Sequence, residues 1–115
     1  MLQFDRVSLD ADTEALREKV RTFLAANKAH FPRPNSDFSS GHDPEFSRKL
    51  GEAGLLGMTW PKAYGGHERS QLERYVVIEE LLAAGAPVGA HWIADRQSGP
   101  LILRYGTEAQ RLTYL

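Results

Sequence analysis

Three helix-start signatures punctuate the chain and leave little room for a sheet. Asp43-Pro44 pairs a capping acid with a residue suited to the first helical position, where no N–H is needed. Ser70-Gln71-Leu72-Glu73 and Thr107-Glu108-Ala109-Gln110 are capping boxes, in which the hydroxyl accepts from the third helical N–H and the acid or amide reaches back. No run of alternating apolar and polar residues long enough for a strand lies between them, and no internal repeat is visible. The reading is all-α, with orthogonal or bundle-like packing of five or six helices joined by short connections.

The helices follow from periodicity and breakers. Leu16, Val20, Phe23 and Leu24 form a one-faced stripe within a helix expected over Asp12 to His30, capped by Asp10 or Asp12. Pro32 and Pro34 stop it, and residues 31–42 read as a loop. In the helix after Asp43, Phe46, Leu50 and Ala53 share a face, and Gly54 suits a left-handed C-terminal cap. The helix after Ser70 is expected to run to about Ala84 and end at Gly85. Leu72, Val76, Glu79 and Ala83 form its stripe, broadened by Tyr75, Ile78 and Leu82. Pro87 opens a short helix through Val88 to Arg96, Gly99-Pro100 breaks it and starts another, and Gly106 ends that one. Leu112 and Leu115 of the last helix have nothing to pack on, so the natural chain is expected to continue past Leu115.

Composition narrows the chemistry. With 115 residues the chain suits one domain, and 42% apolar residues suffice for a core. A net charge of -1 with scattered Lys and Arg gives no basic stripe for nucleic acid. The absence of cysteine excludes disulfides, zinc–thiolate sites and thiol catalysis. No signal peptide and no membrane-spanning run is seen, which points to the cytoplasm.

No complete active site is legible in these residues. His30, His42, His67 and His91 form no H-x-x-x-H pair, so no metal site is expected. His91 and Asp95, spaced i, i+4, can hydrogen-bond on one helix face, though a surface or subunit-facing pair is the plainer use. Glu79 and Glu80 point in different directions, one to solvent and the other to an arginine or backbone partner. No G-x-S-x-G elbow or phosphate-binding glycine loop is present. Any chemistry must be shared with other segments, a cofactor or a partner.

Residues 54–66, GLLGMTWPKAYGG, combine glycines with Leu55, Leu56, Met58, Trp60 and Tyr64, an apolar load unusual for a connecting segment. This turn follows a helix ending at Gly54 and precedes a capped helix ending Glu79-Glu80-Leu81. With Tyr105-Gly106-Thr107-Glu108-Ala109-Gln110 and Tyr114-Leu115 at the end, it resembles the N-terminal domain of flavin-dependent acyl-CoA dehydrogenases over about residues 12–115. The resemblance implies that residues 1–115 are that helical domain, with a middle β-domain and a C-terminal helical bundle lying outside this sequence. It implies FAD held mainly by those other regions, an acyl-CoA substrate, an electron-transfer acceptor, flavin domains of its own or a partner subunit, and a homo- or hetero-oligomer. The implied reaction is α,β-dehydrogenation of an acyl-CoA thioester, with no catalytic residue among these 115 and the glycine-rich turn buried against the rest of the subunit.

By the same resemblance, the pocket-facing positions fall on Gly89, Ala90, Ile93 and Gln97, whose i, i+4, i+8 spacing with Ala90 alongside also suits plain core packing. The small Gly89 and Ala90 leave room for a bulky or long acyl group. The stretch 91–100 is similar to actinobacterial members, some of which act on steroid side-chain thioesters and pair two different subunits. A non-catalytic docking module, an acyl-CoA oxidase and a flavin monooxygenase are the alternatives that share this pattern.

Overall fold

A computed structural model describes residues 1–33 and 41–115; part of the loop expected over residues 31–42 lies outside them. The described residues form six α-helices and no strand. α1 spans Ala11–Ala26, α2 Pro44–Glu52, α3 Gln71–Ala83, α4 Gly89–Ile93, α5 Gly99–Tyr105 and α6 Glu108–Tyr114.

The capping chemistry works as the residue types dictate. Asp10 caps α1, accepting from Thr13 N at 2.9 Å and from Thr13 Oγ1 at 2.7 Å. Asp43 accepts from Phe46 N at 2.9 Å, with Pro44 in the first turn of α2. Ser70 and Glu73 close a reciprocal box on α3, and Thr107 and Gln110 close another on α6. Gly54 and Gly85 take left-handed φ values of 74° and 67° just past α2 and α3, a conformation in which a side chain is strained. α1 is shorter than expected. Asn27 turns its side-chain amide back onto the Phe23 carbonyl at 2.9 Å, and the chain tightens into a 3₁₀ turn over Lys28–His30.

α1 and α3 lie against each other. Leu16, Val20 and Leu24 of α1 enter the core as the stripe predicts. The stripe expected on α3 needs correction. Val76, Val77, Glu80 and Leu81 are the buried residues, while Leu72, Tyr75 and Leu82 are exposed. α3 is apolar nearly all round, so its apolar pattern does not choose an inward side. The ion pairs do: Arg17 Nη1 donates to Glu79 Oε2 at 2.8 Å and also to Glu80, and Arg21 Nε donates to Glu80 Oε2 at 3.0 Å. The expected division of labour holds, with Glu80 nearly enclosed and Glu79 open to water. Phe46 of α2 is fully buried at the centre, its ring 5.5 Å from Phe31 edge-on and 5.8 Å from Phe23.

The helix break expected at Gly99-Pro100 is absent. α4 runs into α5 through a π turn over Ala94–Ser98, so the chain stays helical from Gly89 to Tyr105. Proline has no N–H and its ring crowds the turn before it. An extra residue in that turn accommodates both problems without ending the helix.

Candidate functional site

The π turn is where the glycine-rich segment meets the last long helix. Gly99 N–H donates to the carbonyl of Ala94, five residues back, instead of to Asp95, four back. The donor five residues beyond Asp95 is position 100, a proline with no N–H. The Asp95 carbonyl therefore has no helical partner. Trp60 supplies one: its indole Nε1–H donates to Asp95 O at 3.3 Å. In return, the buried amide of Gly57 donates to Asp95 Oδ1 at 3.0 Å. The Trp60 ring lies on Gly99, where any Cβ would overlap it.

These contacts explain why a connecting segment is so apolar and glycine-rich. Leu55 and Met58 are core residues. Gly57 and Gly65 have φ of 58° and 80°, and a Cβ on Gly66 would strike the Trp60 carbonyl. The segment 61–66 folds back through a 3₁₀ turn at Lys62–Tyr64, with Gly66 N bonding to Pro61 O at 3.0 Å. Trp60 is half-buried and Tyr64 partly exposed, its hydroxyl donating to Glu108 of α6 at 2.7 Å.

Asp95 is 8% exposed, and burial pushes its carboxyl above the usual range against the opposing pull of the Gly57 N–H, Arg74 and Arg96. The hydrogen bond that the i, i+4 spacing of His91 and Asp95 allows is not formed. His91 turns instead to α2, where its Nε2 and Ser47 Oγ share a 2.6 Å hydrogen bond. Burial and nearby His42 hold the His91 imidazole below its ordinary value, and its Nδ1 is buried without a hydrogen-bond partner. His91 and Asp95 border a cavity of about 280 Å³ together with Trp60, His67 and Leu56. Among the described residues no group of three or more His, Asp or Glu side chains converges as metal ligands, and no helix is long and apolar enough to cross a membrane.

Of the four positions expected to face an acyl group, three lie open on one helix. Ala90, Gln97 and Ile93, the last 51% exposed, share an uncovered surface with Leu101 and Tyr105. Gly89 is buried at the start of α4, its N–H donating to Gly41 O at 2.9 Å. The contacts of Trp60 and Asp95 went unforeseen. The signal for them was Gly-Pro inside an otherwise helical stretch, which strands a carbonyl that some other donor must meet.

Comparison with known proteins agrees with this architecture. The profile of the acyl-CoA dehydrogenase N-terminal domain matches residues 10–115. The chain is 28% identical to acyl-CoA dehydrogenase FadE26 of Mycobacterium tuberculosis, over 96% of this chain and 28% of that protein. It is 34% identical to mitochondrial isovaleryl-CoA dehydrogenase of Pongo abelii, over 93% of this chain and 26% of that protein. Its fold superposes on the crystal structure of the ChsE4-ChsE5 complex from Mycobacterium tuberculosis with a TM-score of 0.75 at 29% identity, covering 96% of this chain and 28% of that one. The chain thus spans about a quarter of the length of these relatives. That profile match over residues 10–115, which takes in all six helices, shows that the chain belongs to the acyl-CoA dehydrogenase family, as its N-terminal helical domain.

Proposed function

We propose that this domain forms one wall of the acyl pocket of an FAD-dependent acyl-CoA dehydrogenase. The observation that carries the reading is the uncovered apolar face of the helix from Gly89 to Tyr105, where Ala90, Ile93 and Gln97 stand exposed beside Leu101. Exposed apolar surface of this kind is used for contact with a ligand or another protein surface. Gly89, buried at the start of α4, does not stand on that face. The small Ala90 on that face favours a long or bulky acyl group, and steroid side-chain thioesters are one such class.

In such a dehydrogenation a carboxylate would take the α-proton of the thioester, and FAD, where bound, would supply the acceptor for the β-hydride. Neither the base nor the flavin cradle is assigned to residues 1–115. The buried polar side chains among the described residues are Thr13, Glu80 and Asp95, and each is bonded within the domain. They do not fit a flavin. FAD is instead held by flavin domains of the same or a partner subunit, in a homo- or hetero-oligomer that passes electrons to a separate acceptor in the cytoplasm.

Anaerobic titration of the protein purified from its native source tests this. Bleaching of a bound flavin by acyl-CoA supports dehydrogenation. A protein without flavin, with a mass matching 115 residues, favours a docking module that shapes a partner's pocket. Rapid reoxidation of the bleached flavin by oxygen favours an oxidase or monooxygenase. Preference for medium straight chains over steroid thioesters sinks the bulky-substrate assignment.

A further inference from the structure

We infer that the turn from Gly57 to Trp60 is a clamp that holds the wall helix in its π-turned register, making Trp60 and Asp95 positioning residues for acyl-group selectivity. The inference rests on the wall reading above.

The π turn divides the exposed face. Ala90 and Ile93 precede or open it, and Leu101 and Tyr105 follow it. The relative rotation of the two halves depends on which carbonyl Gly99 N–H bonds. It now bonds Ala94. If it bonded Asp95 instead, the turn would become an ordinary α turn with one residue fewer. Everything beyond it would then rotate by about 100° relative to Ile93, since an α-helix advances 3.6 residues per turn. Leu101 and Tyr105 would leave the face that Ala90 and Ile93 share.

Three contacts oppose that change, and all come from the glycine-rich segment. The Trp60 indole N–H occupies the Asp95 carbonyl, the acceptor that Gly99 would need. The Gly57 amide holds the Asp95 side chain from the other side. The Trp60 ring fills the space over Gly99, where only a residue without a Cβ fits. Each of the two hydrogen bonds satisfies a backbone group that otherwise has no partner here, so breaking either is costly. Ile93 and Leu101 are eight positions apart, about 12 Å along a helix axis. A long or bulky acyl group resting on both halves reads their relative rotation, and a short one resting on one half does not.

The test uses the flavin-loaded protein from its native gene and compares kcat/KM for a long straight-chain or steroid acyl-CoA with that for a short one. Trp60→Phe keeps an aromatic side chain but removes both the indole donor and the outer ring atoms that lie over Gly99. Asp95→Ala removes the acceptor for Gly57, and Asp95→Asn keeps it. The expected result is a change of about tenfold in the long-to-short ratio for Trp60→Phe and Asp95→Ala, the size of a modest misfit in an apolar pocket. Asp95→Asn should restore the wild-type ratio. Ile93→Ala and Gln97→Ala serve as wall controls. If they change the ratio while Trp60→Phe and Asp95→Ala do not, the clamp is overturned and the wall survives. If none of the four changes it, both readings fail. A ratio as altered in Asp95→Asn as in Asp95→Ala also overturns the clamp. Should Asp95→Ala fail to fold, Trp60→Phe decides alone.

Discussion

Replacing Gly99 with alanine sets two opposite effects against each other, and the structure decides the sign. In an exposed helix interior, Gly→Ala stabilises by about 0.5–1 kcal/mol, because glycine loses more backbone freedom on folding. Gly99 is buried, and a Cβ there would overlap the six-membered ring of Trp60. That ring cannot easily slide away. Its Nε1 is bonded to Asp95 O, and its opposite edge lies close beside Gly57. Overpacking of this kind costs about 1–3 kcal/mol. The net expectation is a loss of about 1–2 kcal/mol, which lowers Tm by about 4 °C for each kcal/mol in a domain of this size. Thermal unfolding of wild type, Gly99→Ala, Trp60→Ala and the double variant gives the coupling directly. The two losses should be less than additive, because Trp60→Ala removes the ring that the new methyl strikes. A Gly99→Ala protein more stable than wild type would show that the ring does not rest on Gly99, and the clamp would go with it.

Three further outcomes follow from the packing and charges. Phe46→Ala should cost about 3–5 kcal/mol in urea unfolding, since the ring is fully buried among Phe23 and Phe31. Acid should destabilise the fold by releasing carboxylates held below their ordinary values: Glu73 by Arg69 and the Ser70 N–H, Asp43 by the Phe46 N–H and His30, and Glu80, where hydrogen bonds from Arg21 and Arg17 outweigh the opposing effect of burial. Their contribution is complete above the ordinary values of 4.5 for Glu and 3.8 for Asp and is lost as pH falls through the depressed folded ones, so Glu80→Gln should flatten the acid limb of a stability–pH curve. The isolated 115 residues should associate in sedimentation as concentration rises, because Tyr75, Leu101, Tyr105, Leu112 and Tyr114 are all more than half exposed; a monodisperse monomer at high concentration would contradict this.

The helix starts were legible because capping is local chemistry. Asp43, Ser70 and Thr107 need only the next three residues to do their work, and each caps as its side chain predicts. Gly54 and Gly85 are legible for the same reason. The face of α3 was not, because YVVIEELLA offers apolar residues on every side. Its rotation is set by Arg17 and Arg21, some sixty residues earlier in the chain. Gly99-Pro100 read as a break because local rules allow proline to end a helix. Keeping the helix continuous takes a donor from Trp60, which no local window contains. The wall positions sit between these cases. Helical spacing groups Ala90, Ile93 and Gln97, and their exposure leaves that surface open, while Gly89 is turned inward at the helix start.

The claim that the α4–α5 helix lines an acyl pocket is tested most directly by photoaffinity labelling. An acyl-CoA carrying a diazirine at the far end of a long acyl chain would be bound to the native protein and irradiated, and the labelled residues mapped by mass spectrometry. The account predicts label on residues 90–101, centred on Ile93 and Gln97 and suppressed by excess unmodified acyl-CoA. Competed label that falls entirely outside this helix would contradict it.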